Sequence, residues 1–178
     1  MIRPIDKLAL GMLVGDQTIL DVAREVTQLF KELEADGGVI GGIAVFLHGY
    51  RRTTADVDVY TNKREALAEA LRQHAFIWDG EAKQFERGGI VVQLLAPGDD
   101  MPFHPTHFTE VDGVRVVSLP DLISMKLSMG TSNLRRAQDL ADVVRLIESL
   151  KLDKSLTPRI APEWRKTYKE LVDAVGQG

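Results

Sequence analysis

Cysteine is absent from the 178 residues, which excludes disulfides, thiolate metal sites and a cysteine nucleophile. A zinc site would have to be built from histidine and carboxylate alone. Positive charge is not in excess either: 22 Lys and Arg stand against 26 Asp and Glu, a net charge of -4. General affinity for nucleic acid is therefore not expected, and only a local basic patch around Arg51 and Arg52 stays open. No apolar run reaches the length of a membrane span, and the N-terminus lacks a basic segment followed by a sustained apolar stretch. The expectation is a cytoplasmic protein with no membrane partner. Repeats, low-complexity tracts and long linkers are missing too, so residues 1–178 read as a single domain. Its core spans about 37–150, with a helical extension over about 151–178.

What the chain does have is concentrated between Val39 and Tyr60, VIGGIAVFLHGYRRTTADVDVY. Asp56 and Asp58 alternate with Val57 and Val59, and a strand of period two puts both carboxylates on one face and both valines on the other. Like charges held side by side are costly unless a cation, a proton or open solvent compensates them. All-oxygen ligands suit Mg²⁺ or Mn²⁺, and Mg²⁺ typically takes one or two carboxylates together with water and phosphate oxygens. Upstream, Gly41-Gly42 separates Val39-Ile40 from the apolar run Ile43 to Leu47, which reads as strand, tight turn and helix. Such glycines let backbone amides approach a phosphate. The pattern is neither a Walker loop, since no Gly-Lys-Ser/Thr follows, nor a dinucleotide fingerprint, since the glycine spacing differs.

Taken together, Gly41-Gly42, Ala44-Val45, His48-Gly49, Arg52-Thr53-Thr54 and Asp56-Val57-Asp58 resemble the signature of the nucleotidyltransferase-fold superfamily. The resemblance is to its small bacterial AbiEii-like branches, and it extends more weakly to about residue 150. It implies an α+β fold in which a mixed β-sheet is flanked by α-helices, with helical N- and C-terminal extensions. It also implies a metal-dependent transfer of a nucleoside monophosphate from a nucleoside triphosphate to an acceptor hydroxyl. By position, Gly41 and Gly42 would hold phosphates, while Asp56 and Asp58 would bind the metal. The acceptor is left open among RNA, a protein and a small molecule. A toxin-antitoxin partner protein or a homodimer enters by analogy only.

Two departures bear on that activity. Gly42 replaces the usual serine and removes a hydroxyl donor. Gln93, the only polar residue within Ile90 to Leu95, stands where the third carboxylate of the family is expected, and an amide cannot act as a base. The alternative is therefore a catalytically inactive nucleotide- or partner-binding protein of the same fold. Asp99 and Asp100 are read as turn residues that could stand in for the missing acid only if their loop folds back.

Elsewhere the patterns are ordinary. Residues 1–15 suggest an irregular arm or a short helical turn. A helix is expected from an Asp16 cap to about Ala35, ended by Asp36-Gly37-Gly38, and another from Lys63 to His74 capped by Asn62. Short strands flank an Asp79-Gly80 turn, Ile90 to Leu95 forms a strand, 96–110 a loop, and Val111 to Val117 a hairpin or edge strand turning at Asp112-Gly113. Ser118 caps a helix with Pro120 in its first turn. The segment Asp121 to Leu127 and the run Arg135 to Val143 both resemble the family, where the equivalent of Lys126 faces the triphosphate. Asp139 is read either as a base or lysine partner near the active centre, or, with Asp142, as a partner of Arg135, Arg136 or Arg145 that locks helices together. Arg52 and Thr54 either touch phosphate or shape the loop. His48 is read as structural, and His104 and His107 as loop residues rather than a metal pair. A last helix, Glu163 to Val175, has one apolar side that docks on the domain or on a second copy.

Overall fold

The structure, a computed structural model, describes residues 13–14 and 17–176. The expected N-terminal arm and the Asp16 cap fall almost wholly outside them. A short antiparallel pair, β1 (Leu13–Val14) and β2 (Gln17–Thr18), leads into α1 (Ile19–Glu32). The cap is Thr18: its hydroxyl accepts from Asp21 N, and the Asp21 carboxylate accepts from Thr18 N in return. This reciprocal box satisfies two orphan amides at once, so the helix starts later than the sequence suggested. Its buried stripe, Leu20, Ala23, Val26 and Phe30 among others, lies on the sheet.

Then follow β3 (Gly37–Val39), α2 (Gly41–Leu47), β4 (Asp56–Thr61), α3 (Arg64–Gln73), β5 (Ile77–Asp79), β6 (Gln84–Arg87), β7 (Ile90–Leu95), β8 (Phe108–Val111) and β9 (Val114–Val117). Seven of these strands form one mixed sheet in the order β5-β6-β7-β4-β3-β9-β8, with β4 parallel to β7 and β3 parallel to β9. The α+β architecture of a mixed sheet flanked by helices is as the sequence implied. Gly37 and Gly38 sit inside β3 rather than ending α1. A Cβ on Gly37 would run into the Tyr60 backbone and the Phe30 ring, and one on Gly38 into the Phe108 ring, so these glycines bring helix and edge hairpin close to the sheet. Asn62 does not cap α3; its side chain accepts from Asp36 N instead. The loop expected over 96–110 is shorter, because β8 begins at Phe108.

The sheet has two covered faces. Val57, Val59, Ile90, Val92 and Phe85 pack with α1 and α3 in one cluster. The opposite cluster gathers Tyr60, Val116 and Val117 with α2, α4 (Leu119–Ser132) and α5 (Ala137–Leu150). Ser118 caps α4, accepting from Asp121 N, and Pro120 lies in its first turn. The C-terminal extension, with α6 (Arg165–Gly176), folds back on α5 and adds the buried Ile160 and Tyr168 to that second cluster. Tyr168 donates its hydroxyl to Asp153 O, and Ser124 on α4 accepts from Ala161 N. Among the described residues no helix is long and apolar enough to cross a membrane.

Candidate active site

The β4–β7 register fixes the site. Asp56 lies opposite Val91 and Asp58 opposite Gln93, while Val57 and Val59 point into the α1/α3 cluster. Both carboxylates thus share the other face with Gln93, as the alternation requires. A cavity of about 140 Å³ opens there, lined on its polar side by Gly41, Asp58, Gln93, Lys126, Arg136 and Asp139. Its apolar wall includes Met101, Met125, Met129 and Leu122.

Gly41 is needed for the carboxylate to sit where it does. Its φ is +66°, and a Cβ there would collide with Asp58 Oδ2. Only glycine combines a left-handed backbone with so close an approach. Gly42 is buried against the loop that enters β4: a Cβ would meet Thr54 Oγ1 at 2.5 Å. Thr54 therefore packs over the paired glycines. The two glycines are the first residues of α2 rather than a turn before it, and a helix of 7 residues has a small dipole. Positive charge at this cavity comes from side chains.

Those side chains form one network, buried at Lys126, Asp139 and Asp142 and reaching the surface at Arg136. Lys126, only 6 % exposed, donates to Asp139 Oδ1 at 2.8 Å and forms an ion pair with Asp142 Oδ2 at 2.7 Å. Arg52 Nη1 donates to the same Asp142 Oδ2 at 2.6 Å, and Gln138 Nε2 to its other oxygen at 2.9 Å. Arg136 Nε reaches Asp139 Oδ2 at 2.7 Å. Asp142 is fully buried and joins the loop before β4 to α4 and α5. Three cations thus face two carboxylates, a positive surplus directed at Asp58. Asp139 is a lysine partner and at the same time pairs with Arg136, as the helix-locking alternative had it, whereas Arg145 lies elsewhere, paired with Glu148.

Burial pushes the Asp58 carboxyl up to about 6, and neighbouring Asp56 adds to the rise, while Lys126, Arg136 and Arg52 pull it back. Asp58 is thus a carboxylate in want of a cation or a proton. For Asp139, burial acts upward, but Lys126 and Arg136 outweigh it and hold the carboxyl below its ordinary value. Asp139 stays ionised and locked in its pairs, which suits a positioning role better than that of a base. Gln93 Nε2 donates to Gln84 Oε1 at 3.3 Å on the next strand. Among the described residues, no group of three or more His, Asp or Glu side chains converges as a metal site. Asp99 instead accepts from Ala96 N and pairs with Arg64.

His48 donates Nε2–H to Val117 O at 2.7 Å, and burial lowers its pKa, so it ties α2 to β9. His104 and His107 have separate partners, Tyr60 and Asp121 respectively. Of the sequence candidates, Gly41, Asp58, Lys126 and Asp139 line the cavity. Asp56 flanks it on the same face, Arg52 reaches it through Asp142 and Lys126, and Thr54 packs on Gly42 at the start of α2 behind it. The sequence reading missed Arg136 as a cavity residue and the methionine wall. The Arg-Arg-x-x-Asp spacing, with Arg136 one helical turn before Asp139, carried the first signal; nothing marked the methionines.

No family model and no curated protein matches the sequence. Solved structures do. The chain is similar to an antigenic nucleotidyltransferase-like protein from Paracoccidioides brasiliensis, at 15% identity over 88% of this chain and 86% of that one, TM-score 0.51. It is similar to a protein from H. pylori put forward as a nucleotidyltransferase, at 13% identity over 90% and 95%, TM-score 0.51. The antibiotic-resistance factor ANT(2'')-Ia matches at 12% identity over 86% and 90%, TM-score 0.50. At such identities the likeness establishes the fold, which is that of nucleotidyltransferase-like proteins.

Proposed function

We propose that the chain is a metal-dependent nucleotidyltransferase that moves a nucleoside monophosphate from a triphosphate to an acceptor hydroxyl and releases pyrophosphate. The observation that carries this reading is Asp58: a half-buried carboxylate beside Asp56, raised to about 6, facing a cavity with Lys126 and Arg136 on its wall. Two adjacent carboxylates with an amide oxygen nearby fit the oxygen-only chemistry of Mg²⁺ or Mn²⁺, with Asp56 and Asp58 as the ligands. Such an ion would neutralise charge on the triphosphate and favour in-line attack by the acceptor oxygen. Lys126 and Arg136 offer donors to phosphate oxygens, and Asp139 and Asp142 fix the lysine in place. Gly41 lets the phosphates come close, with Gly42, Thr54 and Arg52 supporting the start of α2. The apolar methionine wall suits a nucleobase by its adaptable packing. The narrower likeness to the AbiEii-like branch rests on the motif alone.

A second reading is favoured by one observation. Gln93 stands beside Asp58 in the β4–β7 register, where a third carboxylate would complete the set, so the site could bind a nucleotide without transferring it. Incubation with each α-labelled triphosphate and Mg²⁺ in the presence of RNA, protein and small-molecule fractions separates the two. Label transfer that disappears in Asp58→Ala supports the enzyme. Binding of triphosphate with no transfer to any fraction supports the binding protein.

A further inference from the structure

On the opposite face of the sheet from Asp58, a second cavity of about 530 Å³ lies between α3 and the β5–β6 hairpin. Trp78 and Phe85 oppose each other across that hairpin, ring centroids 4.9 Å apart. Phe85 is buried, whereas Trp78 is 44 % exposed, one of two large apolar side chains so exposed among the described residues. Three cations, Arg64, Arg72 and Lys83, share the lining with a single carboxylate, Asp99, already paired with Arg64. Arg64 Nε is buried there without a hydrogen-bond partner, and the Arg72 guanidinium sits 5.5 Å from the Phe85 centroid. An open aromatic surface beside surplus positive charge, in a chain whose net charge is -4, matches one ligand chemistry: a flat ring carrying a phosphate.

We infer that this cavity binds a nucleotide unit, its base stacked on Trp78 and its phosphate held by Lys83 and Arg72. The site is separate from the carboxylate pair and does not depend on the activity proposed for it. Base stacking on an exposed aromatic ring contributes about 1–3 kcal/mol, and the arginines and lysine supply the anion's partners. Glu69, 3.4 Å from Arg72, and the overall negative charge oppose a long polyanion, so the occupant is one nucleotide, free or at the end of a single strand.

The test uses amide and indole correlation spectra of the whole chain without divalent ions. The two tryptophans give two indole signals, and Trp78→Phe identifies that of Trp78. Adenosine monophosphate is expected to shift the Trp78 signal saturably. Trp78→Leu should weaken this binding by about 5- to 150-fold, the range its stacking implies, and Lys83→Glu by roughly tenfold. Asp58→Asn should leave it unchanged, which keeps this result distinct from any outcome at the carboxylate site. A short oligonucleotide that binds more tightly than the monophosphate identifies a strand end as the source; equal affinity identifies the free nucleotide. Shifts confined to residues around Asp58, or equal affinity for inorganic phosphate or ribose 5-phosphate, would overturn the inference.

Discussion

Replacing Asp58 with asparagine should make the metal-free protein more stable, because the side chain keeps its shape and loses a charge that burial penalises. The folded carboxyl ionises at about 6 against an ordinary 3.8, a rise of about two units, or about 3 kcal/mol at 1.36 kcal/mol per unit. The sign follows from proton linkage. Between the two values the folded chain holds a proton that the unfolded chain has released, so stability falls as pH rises through that window. The penalty is nearly absent below pH ~4, about 1.5 kcal/mol at pH 5, and complete above pH ~6. Urea unfolding with a chelator present should therefore show Asp58→Asn gaining up to about 3 kcal/mol at pH 8 and roughly half that at pH 5. Excess Mg²⁺ should narrow the difference by stabilising only the natural protein. A neutral or destabilising substitution at pH 8 would refute the reasoning, since Asp58 would then not be held at a cost that a cation relieves.

Other substitutions test neighbouring parts of the site. Gly41→Ala should destabilise by about 2–4 kcal/mol, combining left-handed strain of ~1–2 kcal/mol with the collision against Asp58. The loss should shrink in an Asp58→Ala background, as a double-mutant cycle by urea unfolding would show. Lys126→Met leaves Asp139 and the fully buried Asp142 short of their central cation, so unfolding measurements should find a loss of about 3–5 kcal/mol. Gln93→Asp places a third carboxylate beside Asp58; calorimetry should record Mn²⁺ affinity rising on the order of tenfold.

How much of this was legible depended on the range over which each interaction acts. The alternation Asp56-Val57-Asp58-Val59 needs only the strand period, and it held residue by residue against Val91, Val92 and Gln93 on the neighbouring strand. The cap of α4 at Ser118 and the turn at Asp112-Gly113 are equally local. Errors arose where two local signals competed. Gly37-Gly38 reads as a helix stop, yet its role is to admit Phe30 and Phe108 against the sheet, contacts made by residues distant in the chain. Asp16 and Thr18 are both capable caps, and the reciprocal bond with Asp21 favoured Thr18. The pairing of Arg52 with Asp142 spans 90 positions and leaves no periodic trace. The cavity's methionines look like core residues on α4 and in the preceding loop until the fold turns them toward Asp58.

The most direct test of a divalent-ion-dependent triphosphate site at Asp56 and Asp58 is the melting temperature with each nucleoside triphosphate, with and without Mg²⁺. It should be measured on the natural chain and on Asp56→Ala and Asp58→Ala. Ligand at a hundred times its dissociation constant adds about 2.7 kcal/mol, which in a protein of this size raises the midpoint by roughly 5–10 °C. The account predicts that rise only when metal and triphosphate are both present, and its loss in both variants. An equal rise in the variants, or none with any triphosphate, would contradict it.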